Sequence, residues 1–407
     1  MAETVFPAGD PASVVLYSEL TYAQAIRYTT ASKLMAVGLS KDDPSNFVQY
    51  FEETSEKNGD QIKYDLIYNP FGQGVAGDSV IAGQEVALTY DQAAIFINQL
   101  RQAMLLKGMM SQQRVPFSIR DKARNGLSNW FRQMIEYGLC NQAAGNVGAT
   151  RLPYLNGAVN APNPSDAGAY NYTGMQSPFE PSSDHTIFPA GATTEATVGT
   201  DPKYGFNLDL IPDLVAMAQG NLGVPIKPVI INGLEIAGVA FLDHLQVKDL
   251  KKNFSQGEWG DLMRAALQGG QVQGNPIFTG ALGIFDNTVL HQSTYLPWGD
   301  GVASNLVLNP QSRQMVAAPN SLYGYSYATQ YIGRFIFLGA QALALAVGMA
   351  DGTPENPLRV KWVEEPLDGN NQLRIINGMI WGIAKTQFAG SDYAVITGST
   401  YVNVAST

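Results

Sequence analysis

Three histidines, one cysteine and a few adjacent carboxylates are the residues of this chain whose types and spacing could carry chemistry. His185 follows Asp184, His244 follows Asp243, and His291 comes shortly after Asp286. An acid beside an imidazole can fix its tautomer and leave the far nitrogen free to take a proton, as a hydrolase requires. In an extended strand, however, neighbouring side chains point to opposite faces, so Asp184–His185 and Asp243–His244 read as poor dyads. A metal would need all three scattered histidines to meet in space, so the expectation is structural or surface histidines and no metal site. Cys140 stands alone, which excludes an intrachain disulfide and a thiolate cluster and suits a reducing compartment. Glu52–Glu53 and Glu364–Glu365 are expected at the surface.

The stretch Asn275–Gln292 sets Gly280 and Gly283 between two short apolar runs and ends near a histidine. It lacks the Gly-Lys-Ser/Thr ending of a phosphate loop and does not fit the dinucleotide fingerprint. The chain also has no Gly-x-Ser-x-Gly elbow and no His-Glu-x-x-His pair. The glycines read as turn positions between two strands. No catalytic, cofactor-binding or metal-binding residue is therefore assigned.

The composition points elsewhere. At 407 residues the chain exceeds the size of most single cores, so two or more sub-domains are expected. Charged residues make up 15%, against about 25% in ordinary soluble domains. Neutral polar residues and 41 glycines take their place, which suits a subunit whose flanks are covered by neighbours, the alternative being a monomer with a neutral surface. A net charge of -10 excludes a surface built to grip nucleic acid. Lys248, Lys251 and Lys252 alternate with Asp243 and Asp249 as a solvated helix face. The opening MAETVFPAGDPASVV lacks the basic-then-apolar pattern of a secretory signal. The longest apolar run, Phe335 to Ala350, contains Gln341 and falls short of the roughly 20 residues that span a bilayer. It reads as a buried helix, and no membrane partner is expected.

Local patterns supply the elements. Residues 1–56 read as an extended arm with one or two short helices. Ile62, Tyr64, Leu66 and Tyr68, then Val86, Leu88 and Tyr90, alternate as two strands around a loop with Gly72, Gly74, Gly77 and Gly83, long enough to project and dock on a partner. A helix follows: Ser118 caps it three residues before Asp121, Pro116 precedes it, and Ile119, Ala123, Leu127, Trp130, Phe131, Met134 and Gly138 share one face. The opposite face carries Lys122, Asn125, Ser128, Asn129, Arg132 and Glu136. Residues 145–205 are rich in Gly, Pro, Ser and Thr and read as a surface excursion. Helices are expected around Leu208–Met217 and Trp259–Ala266, strand leading into helix at 228–252, and strands at 359–365, 372–388 and 393–404. Helices and strands without regular alternation give an α+β class.

Taken in order, the glycine-rich hairpin, RVPFSIRDKARNGLSNWF, VAFLDHLQVKDLKK, GNPIFTGALGIFDNTVLHQ, RFIFLGAQALALAVG and VKWVEEPLDGNNQLRIINGMIWGIAKTQF resemble the N4-like family of tailed-bacteriophage major capsid proteins, whose shells use the Hong Kong 97-type fold. The resemblance implies an N-terminal arm (1–56), an extended loop (57–95) and a peripheral domain with a long spine helix (96–144). It further implies an insertion (145–205), an axial domain (206–350) and C-terminal strands completing both domains (351–407). It implies hexamers and pentamers that close into an icosahedral head around double-stranded DNA without sequence-specific binding. A separate scaffolding protein, a portal protein and a decoration protein are the further partners implied. Some shells of this fold form a lysine–asparagine bond from the extended loop, but no Lys or Arg lies between Tyr64 and Leu100, so noncovalent clasping is expected. The chain also starts almost directly with the arm, which implies that the scaffold is a separate protein.

Another virion protein, such as a decoration or tail protein, and a hydrolase using Asp243 and His244 or Asp286 and His291 are the competing readings. Electron microscopy of the protein coexpressed with a scaffold separates them: a shell subunit gives closed particles of uniform size. A hydrolase instead gives turnover that disappears when its histidine is changed to alanine.

Overall fold

The computed structural model describes residues 11–27, 46–52, 61–67, 90–106, 108–145, 178–221, 225–253, 282–300 and 331–402, apart from single positions within them, with residues 29 and 34 and short pieces at 75–85, 306–308 and 315–317. Helix α1 (Pro11–Arg27) precedes strand β1 (Val48–Glu52), and β2 (Gln61–Ile67) and β3 (Tyr90–Phe96) flank the glycine-rich loop. Strand β4 (Asn98–Leu106) leads through the short α2 (Met109–Gln113) to the long α3 (Ile119–Ala143). Next come β5 (Thr186–Ile187), α4 (Glu195–Val198), α5 (Leu210–Ala216), the hairpin β6 (Val229–Ile231) and β7 (Leu234–Ile236), β8 (Gly238–Asp243) and α6 (His244–Asn253). They are followed by β9 (Gly283–Phe285), β10 (Thr288–Ser293), β11 (Trp298–Asp300), β12 (Leu306–Leu308) and β13 (Met315–Ala317). The last part is strand: β14 (Tyr331–Leu338), β15 (Leu343–Val347), β16 (Asp351–Thr353), β17 (Asn356–Leu358), β18 (Val360–Leu367), β19 (Gln372–Lys385), β20 (Gln387–Phe388), β21 (Ser391–Asp392) and β22 (Val395–Tyr401).

Two larger sheets organise these elements. The five-stranded one runs β1-β15-β19-β18, with β4 on the other edge of β19: Trp381 lies opposite both Val347 and Asn98. The seven-stranded one runs β5-β22-β14-β8-β10-β9, with β11 also on β14. Helix α3 reaches from one sheet to the other. Its 25 residues extend about 37 Å at the usual rise. Along its first half Ala123 and Leu127 pack with Trp362 and Ile375, and Gly138 lets the Trp381 ring approach so closely that a Cβ would lie 2.9 Å from it. Its last turn meets the seven-stranded sheet, where Thr397 Oγ1 donates to the Ala143 carbonyl at 3.4 Å.

Helix α3 starts as its sequence predicts, with the Asp121 amide donating to the Ser118 hydroxyl at 3.3 Å. Its expected polar face is only partly wet: Ser128 and Glu136 are buried. Ser128 donates to the Thr21 carbonyl at 3.2 Å, because α1 covers that side. Helix α1 is 17 residues long and lies on its own subunit, longer and better anchored than the short helices expected of an extended arm. Ser18 donates to the Val360 carbonyl, the Tyr22 and Tyr50 hydroxyls meet at 2.6 Å, and Ala25 is fully buried.

Several expectations are corrected. The run from Phe335 to Ala350 contains two strands, β14 and β15, instead of one helix. Both are buried on both faces, and such strands lose the alternation that distinguishes strand from buried helix. The polar Gln341 marks the corner between them, at φ 61, its amide donating to the Asn46 carbonyl at 2.8 Å. The turn in Asn275–Gln292 sits at Asp286 and Asn287, both at positive φ, with Gly283 in strand β9. The second strand around the glycine loop is described from Tyr90 onward; residues 86–89, Gly280 and the expected helix around Trp259 lie outside the described residues. Residues 178–205, read as surface excursion, pair with β22 through β5 and bury His185, Val198 and Tyr204. The strands expected at 359–365 and 372–388 and near the C-terminus, and the helices at 208–217 and 244–252, are present.

One close approach gives a stability test. Gly398 on β22 faces Phe335 on β14, and a Cβ there would lie 2.0 Å from the ring, which itself packs edge-on against Phe206 at 5.4 Å. Gly398→Ala is expected to destabilise the isolated subunit by about 1–3 kcal/mol through overpacking. Urea unfolding measures this, and an unchanged midpoint would show that the ring can move aside freely.

Candidate assembly surfaces and buried clamps

The histidine–aspartate neighbours do come close, because Asp243 and His244 sit at the junction of β8 and α6 and Asp184 and His185 in a short 3-10 helix just before β5, so strand alternation does not apply. Asp243 ends β8 and His244 begins α6, with His244 Nδ1 2.9 Å from Asp243 Oδ1. Asp243 Oδ2 also accepts the Leu245 amide at 3.0 Å, and the Asp243 amide donates to Gln246 Oε1 at 2.9 Å. This reciprocal arrangement is a capping box that starts α6. Gln246 Nε2 then donates to the Gly333 carbonyl and to Thr400 Oγ1 at 3.0 and 2.7 Å, fastening the helix to β14 and β22. His185 is 2% exposed, its Nδ1 3.1 Å from Asp184 Oδ1 but off the line of a hydrogen bond. His291 stacks on Phe241 at 5.4 Å in the seven-stranded sheet. Asp286 sits exposed in the turn, roughly 15 Å along the chain from His291 at the rise of a strand. Among the described residues no group of three or more metal-ligating side chains is placed to hold an ion.

Cys140 is buried 3.7 Å from the Ser293 hydroxyl, and burial together with the nearby Glu136 carboxylate pushes its thiol up, away from the reactive thiolate. The lysine side of α6 is solvated as expected: Lys251 and Lys252 are exposed, and Lys248 Nζ lies 3.8 Å from Asp249.

The glycine-loop hairpin is anchored at its base. Ile62, Tyr64, Leu66 and Ile95 pack on Ala344, Ala346 and Ala384, so β2 and β3 cover one half of the outer face of the five-stranded sheet, the face turned away from α3. Tyr64 donates or accepts at the Thr386 hydroxyl, 3.1 Å away, and burial pushes its phenol up to about 12. The loop itself lies largely outside the described residues; where it is described, Ile81 is 67% exposed and Gly77 and Gly83 take positive φ. Among the described residues nothing covers the other half of that sheet face. Its cross-strand rows are Arg101, Gly378 and Lys361, then Ala103, Ile376 and Val363, then Leu105, Arg374 and Glu365. Leu105 is 52% exposed there, and Arg101 and Lys361 stand on either side of Gly378.

Charged pairs inside the subunit escaped the sequence reading, among them those of Glu364 and Lys385. Glu364, expected at the surface, has a fully buried carboxylate whose Oε1 lies 2.6 Å from Arg120 Nη2 and accepts Trp362 Nε1 at 2.7 Å. Its neighbour Glu365 points the other way and pairs with Arg374 at the surface, so strand alternation itself could have separated the two. Lys385 Nζ and Asp392 Oδ2 meet at 2.7 Å with neither side chain exposed. Burial holds the Lys385 ammonium below the ordinary lysine range, against the pull of Asp392. Asp392 Oδ2 also accepts the Ser182 amide at 3.2 Å, and the Asp392 amide donates back to Ser182 Oγ at 2.9 Å. No local signal in the sequence marks this pair.

A family model described as phage capsid protein matches residues 5–404. The chain belongs to the phage capsid protein family. This capsid protein is 28% identical over 362 residues to the major capsid protein of Pseudomonas phage KPP25, covering 86% of this chain and 84% of that one. Its fold is similar to the capsid of Ralstonia phage GP4, with a TM-score of 0.69 at 23% identity over 100% of both chains. It is also similar to the Cyanophage Pam1 capsid asymmetric unit, with a TM-score of 0.58 at 15% identity, covering 93% of this chain and 94% of that one. The α+β fold is therefore the Hong Kong 97-like capsid fold, and the protein is a structural component of the virion and not an enzyme. The Asp243–His244 pair of the capsid protein starts a helix.

That pair has a pH signature. The hydrogen bond that His244 donates to the Asp243 carboxylate raises the His244 pKa above its ordinary value, and partial burial opposes it. A raised folded-state pKa gives stability that is complete below the unfolded value and is lost as pH rises through the folded one. His244→Ala is expected to lower subunit stability more at about pH 5.5 than at about pH 8.5, on either side of the usual imidazole range. Urea titrations at both values check this, and equal deficits would exclude a charged pair.

Proposed function

We propose that this chain is the major capsid subunit of a tailed phage of the N4-like group, building hexamers and pentamers of an icosahedral head around double-stranded DNA. The match to phage capsid proteins over residues 5–404 carries the reading, and the similarity to a major capsid protein over most of both chains supports it. In this reading α3 is the spine of the peripheral domain, the hairpin β2–β3 is the base of the extended loop, and the seven-stranded sheet forms most of the axial domain around the capsomer centre. A scaffolding protein, a portal and a decoration protein complete the set of partners.

The loop between β2 and β3 clasps a neighbouring copy without a covalent bond. It offers Val75, Val80 and Ile81 with Asp78 and Glu85 and contains no cation. The open half of the sheet face offers apolar side chains beside Arg101 and Lys361, a complementary surface in both respects. The net charge of -10 suits a wall that must not hold its packaged DNA.

Deleting Val75 to Ile81 tests the clasp, because the loop is anchored by strands outside the deletion. The expected product is a folded, soluble subunit that fails to give stable closed shells when coexpressed with its scaffold and viewed by electron microscopy. Normal shells from the deletion would remove the clasp from the proposal.

A further inference from the structure

Helix α3 is pinned at both ends, once to each sheet, by an arginine and a carboxylate. In its first turn Arg120 Nη2 lies 2.6 Å from the buried Glu364 of β18, in the five-stranded sheet. Beyond its last turn, Arg334 of β14, in the seven-stranded sheet, reaches back to the helix end. Its Nη1 donates to the carbonyls of Ala144 at 2.7 Å and Gly145 at 3.3 Å, while its Nε donates to Glu195 Oε1 at 2.7 Å. Glu195 opens α4 and also accepts the hydroxyl of Ser399, which lies opposite Arg334 on β22. Arg334 is 4% exposed.

The chemistry at the second pin is directional. The last carbonyls of a helix have no partner within it, and the macrodipole there favours a cation. A planar guanidinium meets such acceptors at fixed angles, whereas apolar contacts between a helix and a sheet let the two slide. Arg334 and Glu195 together thus join the helix end, α4, β14 and β22, and the pin at Arg120 fixes the other end.

We propose that α3 is a strut of fixed length and direction between the two sheets, and that Arg334 is a positioning residue that sets the angle between them. This inference rests on the shell-subunit reading. If each copy tiles a curved wall, the angle between its sheets sets the curvature, and a loosened pin gives shells that close at more than one size.

The test compares Arg334→Met with Arg334→Lys, which keeps the charge without the fork. A control, Leu345→Ala, weakens the core of the five-stranded sheet away from the pin. Each protein is expressed with the scaffolding protein of the same phage, subunit stability is followed by thermal unfolding, and particle diameters are measured by electron cryomicroscopy. The expected result is a broadened diameter distribution for Arg334→Met, a distribution for Arg334→Lys that remains broadened, and uniform particles from the control despite a comparable loss of stability. Parental diameters from Arg334→Met, or equal broadening in the control, would overturn the strut. Should Arg334→Met not fold, Glu195→Gln, which removes the charge and keeps an acceptor, is judged by the same two outcomes. Absence of closed shells from the parent protein would instead overturn the shell-subunit reading itself.

Discussion

A charge taken out of water has to be met by another, and this constraint governs the inside of the subunit. Arg334 with Glu195, Arg120 with Glu364, and Lys385 with Asp392 sit wholly or partly inside a chain in which only 15% of residues are charged. Removing one member of a buried pair typically costs about 3–5 kcal/mol, because the survivor is left desolvated and alone. Apolar contacts tolerate small shifts, whereas these pairs tolerate few. They stand where α3 meets each sheet and where the chain passes from β19 to β22.

Around that interior the outer surfaces divide by role. One half of the outer face of the five-stranded sheet is closed by the base of the chain's own hairpin, through Ile62, Tyr64, Leu66 and Ile95. The other half is left uncovered by the described residues, with Leu105, Ile376 and Val363 among cations. A subunit with a pinned interior and an unfinished face suits a wall built from many copies, in which curvature comes from the body and adhesion from the edges. The scarcity of charge fits the same arrangement, since surfaces that end against neighbours need less of it.

The legibility of the fold follows the range of the forces that set each element. Helix α3 could be read in advance because its cap, Ser118 with the Asp121 amide, and its apolar face repeat within a few residues. Strand β18 and the first part of β19 could be read because their side chains alternate between a buried and a more open face. Strands β14 and β15 could not, because both faces are covered and the alternation vanishes. The same locality misled at Asp243 and His244: the pair looked unable to meet in a strand, yet the start of a helix turns both side chains together.

By itself, then, the sequence determined the element types that have a repeating local pattern, the lack of a recognisable catalytic motif, and, through serial resemblance, membership among phage capsid proteins. Tertiary structure alone decided that α1 lies on its own subunit, that the described residues leave half of one sheet face uncovered, and that Arg334, Glu195, Ser399 and the end of α3 converge. Those contacts join residues from 144 to 399, and only the folded backbone determines which distant side chains share a dry space where an unpaired charge is too costly to leave.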